Sequence, residues 1–515
     1  MKKLYYFFIL CFLACKPELN EKGNVTLNNL QSQDVKLIGT SDEKGFNKSI
    51  NFYRESYFYG GIHKLQKKEF NGDLIRIVLG KIEKPELFEI MAFGENTFYS
   101  TRIIVSPGDS LRYTLKEGKL KFLGKNQEHY NFYLEMDPEV DDWGQIYLNK
   151  YNPDFKKYKA QCDSLYNKRL IFFNNYIEKH PTVSSAFKKK IRDELRFEYL
   201  VNIIKPRSEI QGKFIVNTQE DLFSIYQRRD KQEGEFFDIN GYLNNITLEE
   251  VNKPEYVNNL YFKMSIVPLI RQHFVKSSEI PYSKQSFIQE LAFIEKSFDQ
   301  VIVKYATGRL IVDYYEKGLG KDENSTDFMK KTIIDYKKKI KDSTYFEAIS
   351  DIEQELSSIN KVVPKELNEF VHNLSKDSIK LNYILQKKKI KVIDFWASWC
   401  QPCIKEIIVS KHERKKLIDK YNLEFIYLSI DSDPEKWIEK SVNLYDYLPG
   451  SNQFRIINVK KSNLIKFLNI KASYGITIPR YIVLDQNNRI IDNNAPKPSD
   501  NKFEEVISNL NGNGF

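Results

Sequence analysis

The sequence predicts a chain of several domains: an N-terminal all-β, sandwich-like domain, an α-helical middle domain and a C-terminal α/β domain. Three observations carry this. Between Leu37 and Gly124 short apolar runs alternate with turn signals, and from Glu128 to Asn360 the apolar period becomes helical. Further on, a short apolar strand runs straight into Trp399-Cys400-Gln401-Pro402-Cys403 at a helix start. At 515 residues, 41% of them hydrophobic and 14% aromatic, the chain exceeds one ordinary domain and can fill sizeable cores.

The β domain is expected over residues 37–125. Leu74–Leu79, Leu87–Phe93 and Arg102–Val105 are strand-length apolar runs, and Ser106-Pro107-Gly108-Asp109-Ser110 is a turn. Leu111, Tyr113 and Leu115 then alternate before Glu117-Gly118 turns the chain into Leu120–Leu123. In residues 126–363, Phe287, Leu291, Ile294 and Phe298 recur at helical spacing, as do Ile349, Ile352, Leu356 and Ile359. This stretch carries no repeat, phosphate-binding glycine loop, HExxH pair or Ser/His/Asp constellation. His63, His129, His180, His273 and His372 are scattered and read as surface or satisfied core residues. Pro364 marks the entry to the C-terminal domain, residues 364–515, whose first hairpin is expected to turn at Ser375-Lys376-Asp377.

Chemistry concentrates in that last domain. Lys391–Ala397 is an apolar strand leading into the cysteine pair, and Ile404, Ile407 and Ile408 followed by Leu417, Ile418 and Tyr421 mark the apolar face of a following helix. Two thiols two residues apart at a helix start can be oxidised and reduced as a pair, and with a strand before them they read as a thioredoxin-like redox site. The nucleophile in exchange is the thiolate, which the unpaired N–H groups of a helix N-terminus stabilise, so Cys400 is the expected attacker. Cys403, one turn further in, is the expected resolving thiol. Pro402 lacks an N–H where that donor has no helical partner anyway. A zinc site would need two further Cys or His ligands at workable spacing, and His412 stands alone. Two acids are candidates to accept the Cys403 proton: Glu406, three residues on along the helix, and Asp394, near the end of the strand.

Tyr474–Arg480 runs into the apolar strand Tyr481–Leu484, and after the turn Asp485–Asn488 the chain continues into Arg489-Ile490-Ile491 as a hairpin. Trp396–Glu406 (WASWCQPCIKE), Ile430–Trp437 and Tyr474–Asp485 (YGITIPRYIVLD) resemble the TlpA/ResA-like thioredoxin-fold proteins of bacterial envelopes. The likeness covers roughly the last third of the chain. It implies that Pro479 is a cis-proline beside the cysteines and that the backbone of Ile478 pairs with a substrate strand. It also implies that Trp399, Gln401 and Pro402 lie against the substrate. Glu406 takes the position of the family's characteristic acid, and Asp394 that of the buried aspartate of thioredoxin. Ile478 and Arg480 depart from the threonine frequent beside this proline.

At the N-terminus Lys2-Lys3 precede an apolar run, Leu4–Ala14, that ends at Cys15. A membrane span needs ~20 apolar residues, so the run reads as a signal peptide. Phe12-Leu13-Ala14-Cys15 resembles a bacterial lipobox, which makes residues 1–15 the signal, Cys15 the lipidated first residue and residues 16–36 a tether. An ordinary secretory signal cleaved nearby is the alternative. The lipobox reading implies a periplasm-facing lipoprotein of the cell envelope, at the outer membrane. Of five cysteines, Cys11 leaves with the signal and Cys15 is lipidated, so Cys162, Cys400 and Cys403 remain. No disulfide framework is available, and Cys162 reads as a buried, inert thiol.

The formal charge of +10 comes from dispersed lysines and runs such as Lys188–Lys190, Lys337–Lys339 and Lys387–Lys389, which read as solvated faces rather than a nucleic-acid surface. The expected function is reduction of protein disulfides by an extracytoplasmic thiol–disulfide oxidoreductase. Its only redox group would be the Cys400/Cys403 pair, with no metal and no separate cofactor. Disulfide-containing envelope proteins would be its substrates, a membrane thiol-transfer protein its electron donor, and the bilayer its anchor through Cys15. The alternative is an envelope binding protein or redox sensor that uses the module as scaffold. A thiol peroxidase is disfavoured by the lack of a TxxC motif.

Overall fold

The structure, a computed structural model, describes residues 34–512 apart from 57–60, 65–66, 72–73, 96, 141–145, 150–152, 211–213, 218–238, 277–281, 322, 341–344 and 469–477. The signal and lipobox expectations, Cys15 included, and Tyr474–Thr477 lie outside the described residues. The chain divides into two compact units: the described parts of Met1–Glu279 with Gln289–Ala306, and of Ile280–Ile288 with Thr307–Phe515.

Among the described residues, the part of the first unit up to Gly124 holds nine strands. They are β1 (Asp34–Ser41), β2 (Asn51–Ser56), β3 (Gly61–Lys64), β4 (Lys67–Asn71), β5 (Leu74–Lys81), β6 (Glu86–Phe93), β7 (Phe98–Val105), β8 (Ser110–Lys116) and β9 (Lys119–Gly124). They pair as two sheets, β4-β5-β1-β8-β9 and β3-β2-β6-β7. Val35, Ile77 and Tyr113 from one sheet and Phe52, Ile90 and Ile103 from the other share a single hydrophobic cluster. The two-residue period of β7 sends Ile103 and Val105 into that cluster and Ile104 out of the opposite face. There Ile104 packs among side chains of the helical region, which begins with α1 (Gln127–Val140), α2 (Phe155–Lys179) and α3 (Ser185–Ile204).

Arg102, on the same face of β7 as Ile104, reaches Asp137 and Glu198 at 3.1 Å, and Arg169 reaches Glu198 at 2.8 Å. Burial acts to raise the Glu198 pKa, but the two guanidiniums outweigh it and hold the carboxyl below its ordinary range. Cys162 in α2 is buried, and that burial pushes its thiol up to about 12, the property of an unreactive cysteine. A short hairpin, β10 (Arg207–Ile210) with β11 (Phe214–Asn217), interrupts the helical region. It precedes α4 (Leu260–Leu269) and α5 (Lys284–Ser297).

The second unit holds helical segments from Thr307 onward as well as residues 364–515. Its helices α6 (Gln300–Glu316, from Thr307), α7 (Glu323–Lys339) and α8 (Phe346–Ser358) precede a seven-stranded sheet. The strands are β12 (Phe370–His372), β13 (Ser378–Lys380), β14 (Ile390–Trp396), β15 (Leu423–Ser429), β16 (Gln453–Ile456), β17 (Arg480–Leu484) and β18 (Ile490–Ala495). Their order is β13-β12-β16-β15-β14-β17-β18, with β14, β15 and β16 parallel, β17 antiparallel to β14, and β18 antiparallel to β17. The first hairpin turns where expected, with Lys376 in the left-handed region at φ 67°.

Every residue of β14 and β15 is buried, as befits parallel strands covered on both faces. Val392 and Trp396 point into one hydrophobic cluster, Ile393 and Phe395 into the other. By the same period Asp394 faces the first cluster, which also contains Cys400 and Cys403. The expected long helix is two: α9 (Gln401–Val409) and α10 (Lys411–Tyr421), divided at Ser410. The Ser410 hydroxyl donates to the Glu406 carbonyl at 2.6 Å, a back-bond that competes with the helical ladder. Ile407 is buried, but Ile408, expected on the apolar face, is 42% exposed because the next residue round a helix turns away from the core. The helices α11 (Pro434–Asn443) and α12 (Asn501–Gly512) complete the unit.

Candidate active site

The strand β14 delivers the chain through Ala397, Ser398 and Trp399 to Cys400, the N-cap of α9. Cys400 has extended backbone (φ −84°, ψ 91°), and its Sγ accepts the Cys403 N–H at 3.2 Å. A sulfur in that position takes up a helix donor that would otherwise lack a partner, and a thiolate there gains from it most. Cys400 and Cys403 are joined as a disulfide of 2.05 Å. Cys400 is 4% exposed and Cys403 0%. Trp399, 44% exposed, stands with the exposed Gln401 and Pro402 around this edge.

On the same face of β14 as Val392 and Trp396 lies Asp394, fully buried, with neither carboxylate oxygen hydrogen-bonded among the described residues. Burial pushes its pKa up to about 7; Arg414 pulls it back and Glu406 adds to the rise. Its neighbours across the sheet are Tyr427 of β15 and Tyr481 of β17. Arg414 is held in place by the Ser410 hydroxyl at 2.6 Å and the Tyr447 carbonyl at 2.9 Å, with its guanidinium 5.6 Å from the Tyr427 ring centroid. This sets one fixed positive charge where it acts on the buried Asp394 carboxyl.

Glu406 is also buried, but its carboxylate is occupied. Oε1 accepts the Ser499 N–H at 2.9 Å and Oε2 the Ser499 hydroxyl at 2.8 Å, which ties α9 to the loop before α12. On the far side of β14, Arg480 of β17 pairs with Phe395, so Pro479 comes level with Trp396. The Ile478–Pro479 peptide is cis, and Ile478 packs against the cluster that contains the two cysteines.

The residues that hold the loop were not singled out by sequence reasoning. Asp431 accepts the Ser398 N–H at 2.8 Å, the Ser398 hydroxyl at 2.7 Å and the Ser429 hydroxyl at 2.7 Å. It lies in the Ile430–Trp437 segment already noted for its resemblance, which is the one signal that could have drawn attention to it. Arg414 and Ser499 carried no local signal at all.

The Redoxin family model matches residues 364–507. The C-terminal domain is thioredoxin-like. The thioredoxin of Buchnera aphidicola subsp. Baizongia pistaciae (strain Bp) is 42% identical to this chain over 53 residues, 9% of the chain and 49% of that relative. The chain therefore spans about half the length of the curated relative it matches. Among solved structures, the thioredoxin domain of a thiol-disulfide oxidoreductase from Bacteroides vulgatus is 20% identical with a TM-score of 0.24, covering 30% of this chain and 97% of that one. A thiol:disulfide interchange protein from Bacteroides sp. is 20% identical with a TM-score of 0.24, covering 30% and 92%. A thiol-disulfide oxidoreductase from Bacteroides fragilis NCTC 9343 is 19% identical with a TM-score of 0.23, covering 28% and 99%. Within the redoxin domain the sheet order, the N-cap cysteine and the Ile478–Pro479 edge all converge at the C-terminal end of β14.

Proposed function

We propose that this protein is a thiol–disulfide oxidoreductase of the TlpA/ResA-like kind that reduces protein disulfides in the cell envelope through Cys400 and Cys403. The observation that carries the proposal is the N-cap sulfur of Cys400, bonded to the Cys403 N–H and backed by a buried, unpaired acid. In the reduced protein the Cys400 thiolate attacks one sulfur of a substrate disulfide. A Cys400–substrate S–S bond forms, the substrate S–S bond breaks, and the leaving sulfur takes a proton. Cys403 then gives up its proton and attacks the Cys400 Sγ, forming the intramolecular disulfide and expelling the second substrate thiol. The substrate gains two electrons and two protons, which a dithiol donor returns to the pair; we assign that role to a membrane thiol-transfer protein.

Of the two acids, Asp394 suits the proton transfer better. A carboxyl whose pKa stands at about 7 can take a thiol proton and release it near neutrality, and its oxygens have no competing donor. Glu406, with both oxygens committed to Ser499, serves as a positioning residue. Lipidation at Cys15 would place the active site on the periplasmic side of an envelope membrane, where disulfide-containing proteins are found. A Cys15→Ala variant is expected to leave the membrane fraction, and one as firmly bound as the parent contradicts the anchor.

The activity is tested by insulin reduction with dithiothreitol as electron donor. Wild-type protein should accelerate insulin reduction, while Cys400→Ser and Cys403→Ser should not. A wild type that performs no better than the two variants favours the binding-protein or sensor reading.

A further inference from the structure

Arg480 begins β17 one residue after Pro479, and its side chain reaches beyond the residues of the family match as well as within them. Its Nε donates to the Asn493 carbonyl of β18 at 2.9 Å, and its Nη1 and Nη2 both reach Glu355 Oε1 of α8 at 3.1 Å. The other oxygen of Glu355 accepts the Tyr315 hydroxyl of α6 at 2.8 Å. The same corner is closed by Asn493, whose amide donates to the Ser358 hydroxyl of α8 at 2.6 Å and to the Leu468 carbonyl at 2.8 Å. Ser358 in turn donates to the Glu355 carbonyl at 2.6 Å. Glu355, Ser358 and Tyr315 all precede residue 364, where the family match begins.

Arg480 is 5% exposed, so its charge depends on this carboxylate and carbonyl rather than on water. Removing Glu355 takes away the carboxylate paired with that charge and leaves it the Asn493 carbonyl and the nearby Asp492, toward which the guanidinium must shift. The Cα that moves with it adjoins Pro479, and Ile478 packs beside the cysteines. By contrast, the Cys400 loop is held from the other side, through Ser398 and Asp431. Loss of the pair should therefore disturb the Ile478–Pro479 edge and leave the nucleophile's own surroundings intact.

We propose that Glu355 and Arg480 are positioning residues for disulfide exchange, fixing the Ile478–Pro479 edge against which a substrate segment lies and making α8 a working part of the site. This inference rests on the proposed thiol–disulfide activity. It gives the upstream helices a role that the redoxin domain alone does not contain. The clamp acts on substrate binding, so its removal is read in KM rather than in the reactivity of Cys400.

The test uses the full chain with Glu355→Ala and Glu355→Gln. Insulin turnover gives KM and kcat, iodoacetamide alkylation of the reduced protein gives Cys400 reactivity, and hydrogen exchange follows residues 478–484 against 390–409. For Glu355→Ala the expected result is a KM raised by about 5-fold to 10-fold with kcat within about twofold, the sign of a displaced binding element. Alkylation should be unchanged and exchange faster over 478–484 only. Glu355→Gln, which keeps an acceptor for Arg480, should fall between wild type and Glu355→Ala. An unmoved KM in an active protein overturns the inference alone, as does a parallel loss of alkylation and protection throughout the domain. A wild type inert toward insulin overturns the proposed activity and this role with it.

Discussion

Ser398 and Asp431 are joined twice, the backbone N–H of Ser398 to Oδ2 at 2.8 Å and its hydroxyl to Oδ1 at 2.7 Å. The pair fixes the chain two residues before Cys400 to the end of β15, so the sulfur is placed by a bond from outside its own helix. Asp431 is 2% exposed and also accepts the Ser429 hydroxyl. Replacing it by alanine leaves the buried Ser429 hydroxyl and the half-buried Ser398 donors without this acceptor, at a cost of about 2–3 kcal/mol. We expect Asp431→Ala to unfold at lower denaturant concentration by that amount and to lower the alkylation rate of Cys400. Unchanged values of both would show that the loop is held by something else.

Asp394 makes stability depend on pH in an unusual direction. Its pKa is 3.8 without burial and about 7 in the fold, so between these values the folded protein binds a proton that the unfolded chain has released. Stability therefore falls as pH rises from about 4 to about 7, because the fold must then carry a buried charge. In Asp394→Asn that penalty is absent. The oxidised variant should be more stable than wild type above pH 7, by on the order of 4 kcal/mol, with the difference vanishing towards pH 4. Denaturant unfolding at a series of pH values measures this, and a pH-independent difference would contradict the buried-acid account.

Glu406 should behave differently from Asp394. Its work is to accept the Ser499 N–H and hydroxyl, so Glu406→Ala leaves the loop before α12 untied at a cost of about 1–3 kcal/mol. The same substitution removes a negative charge that helps to raise the Asp394 pKa, so the Asp394 carboxyl should titrate lower. Carboxyl-resolved NMR titration of Asp394 in this variant checks the direction. An upward shift, or none, would separate the two acids electrostatically.

The parts of the site that were legible in the sequence are those written locally. Cys400, Pro402 and Cys403 announce a strand, a turn and a helix start within one short run, whereas the burial of Asp394 was implied only by the resemblance to thioredoxin. The alternation of Leu111, Tyr113 and Leu115 likewise became β8 with all three buried. What was not legible depends on partners far apart in the chain: Ser398 with Asp431 across 33 residues, Glu406 with Ser499 across 93, Glu355 with Arg480 across 125. No periodicity encodes such pairs, because each member taken alone is an ordinary surface-type residue. The division of the helix at Ser410 escaped notice for a related reason. One hydroxyl turned back on its own ladder decides it, and the hydrophobic pattern continues across the break.

If Cys400 attacks and Cys403 resolves, trapping the mixed disulfide separates the roles of the two sulfurs. In Cys403→Ser the nucleophile remains but the mixed disulfide has no internal thiol to break it. Reduced Cys403→Ser protein, expressed in the envelope and recovered after acid quenching, should carry protein adducts that dithiothreitol releases, and peptide mapping should place every one at Cys400. Cys400→Ser should recover none. Adducts mapped to Cys162, or an equal yield from Cys400→Ser, would contradict the assignment of Cys400 as the attacking sulfur.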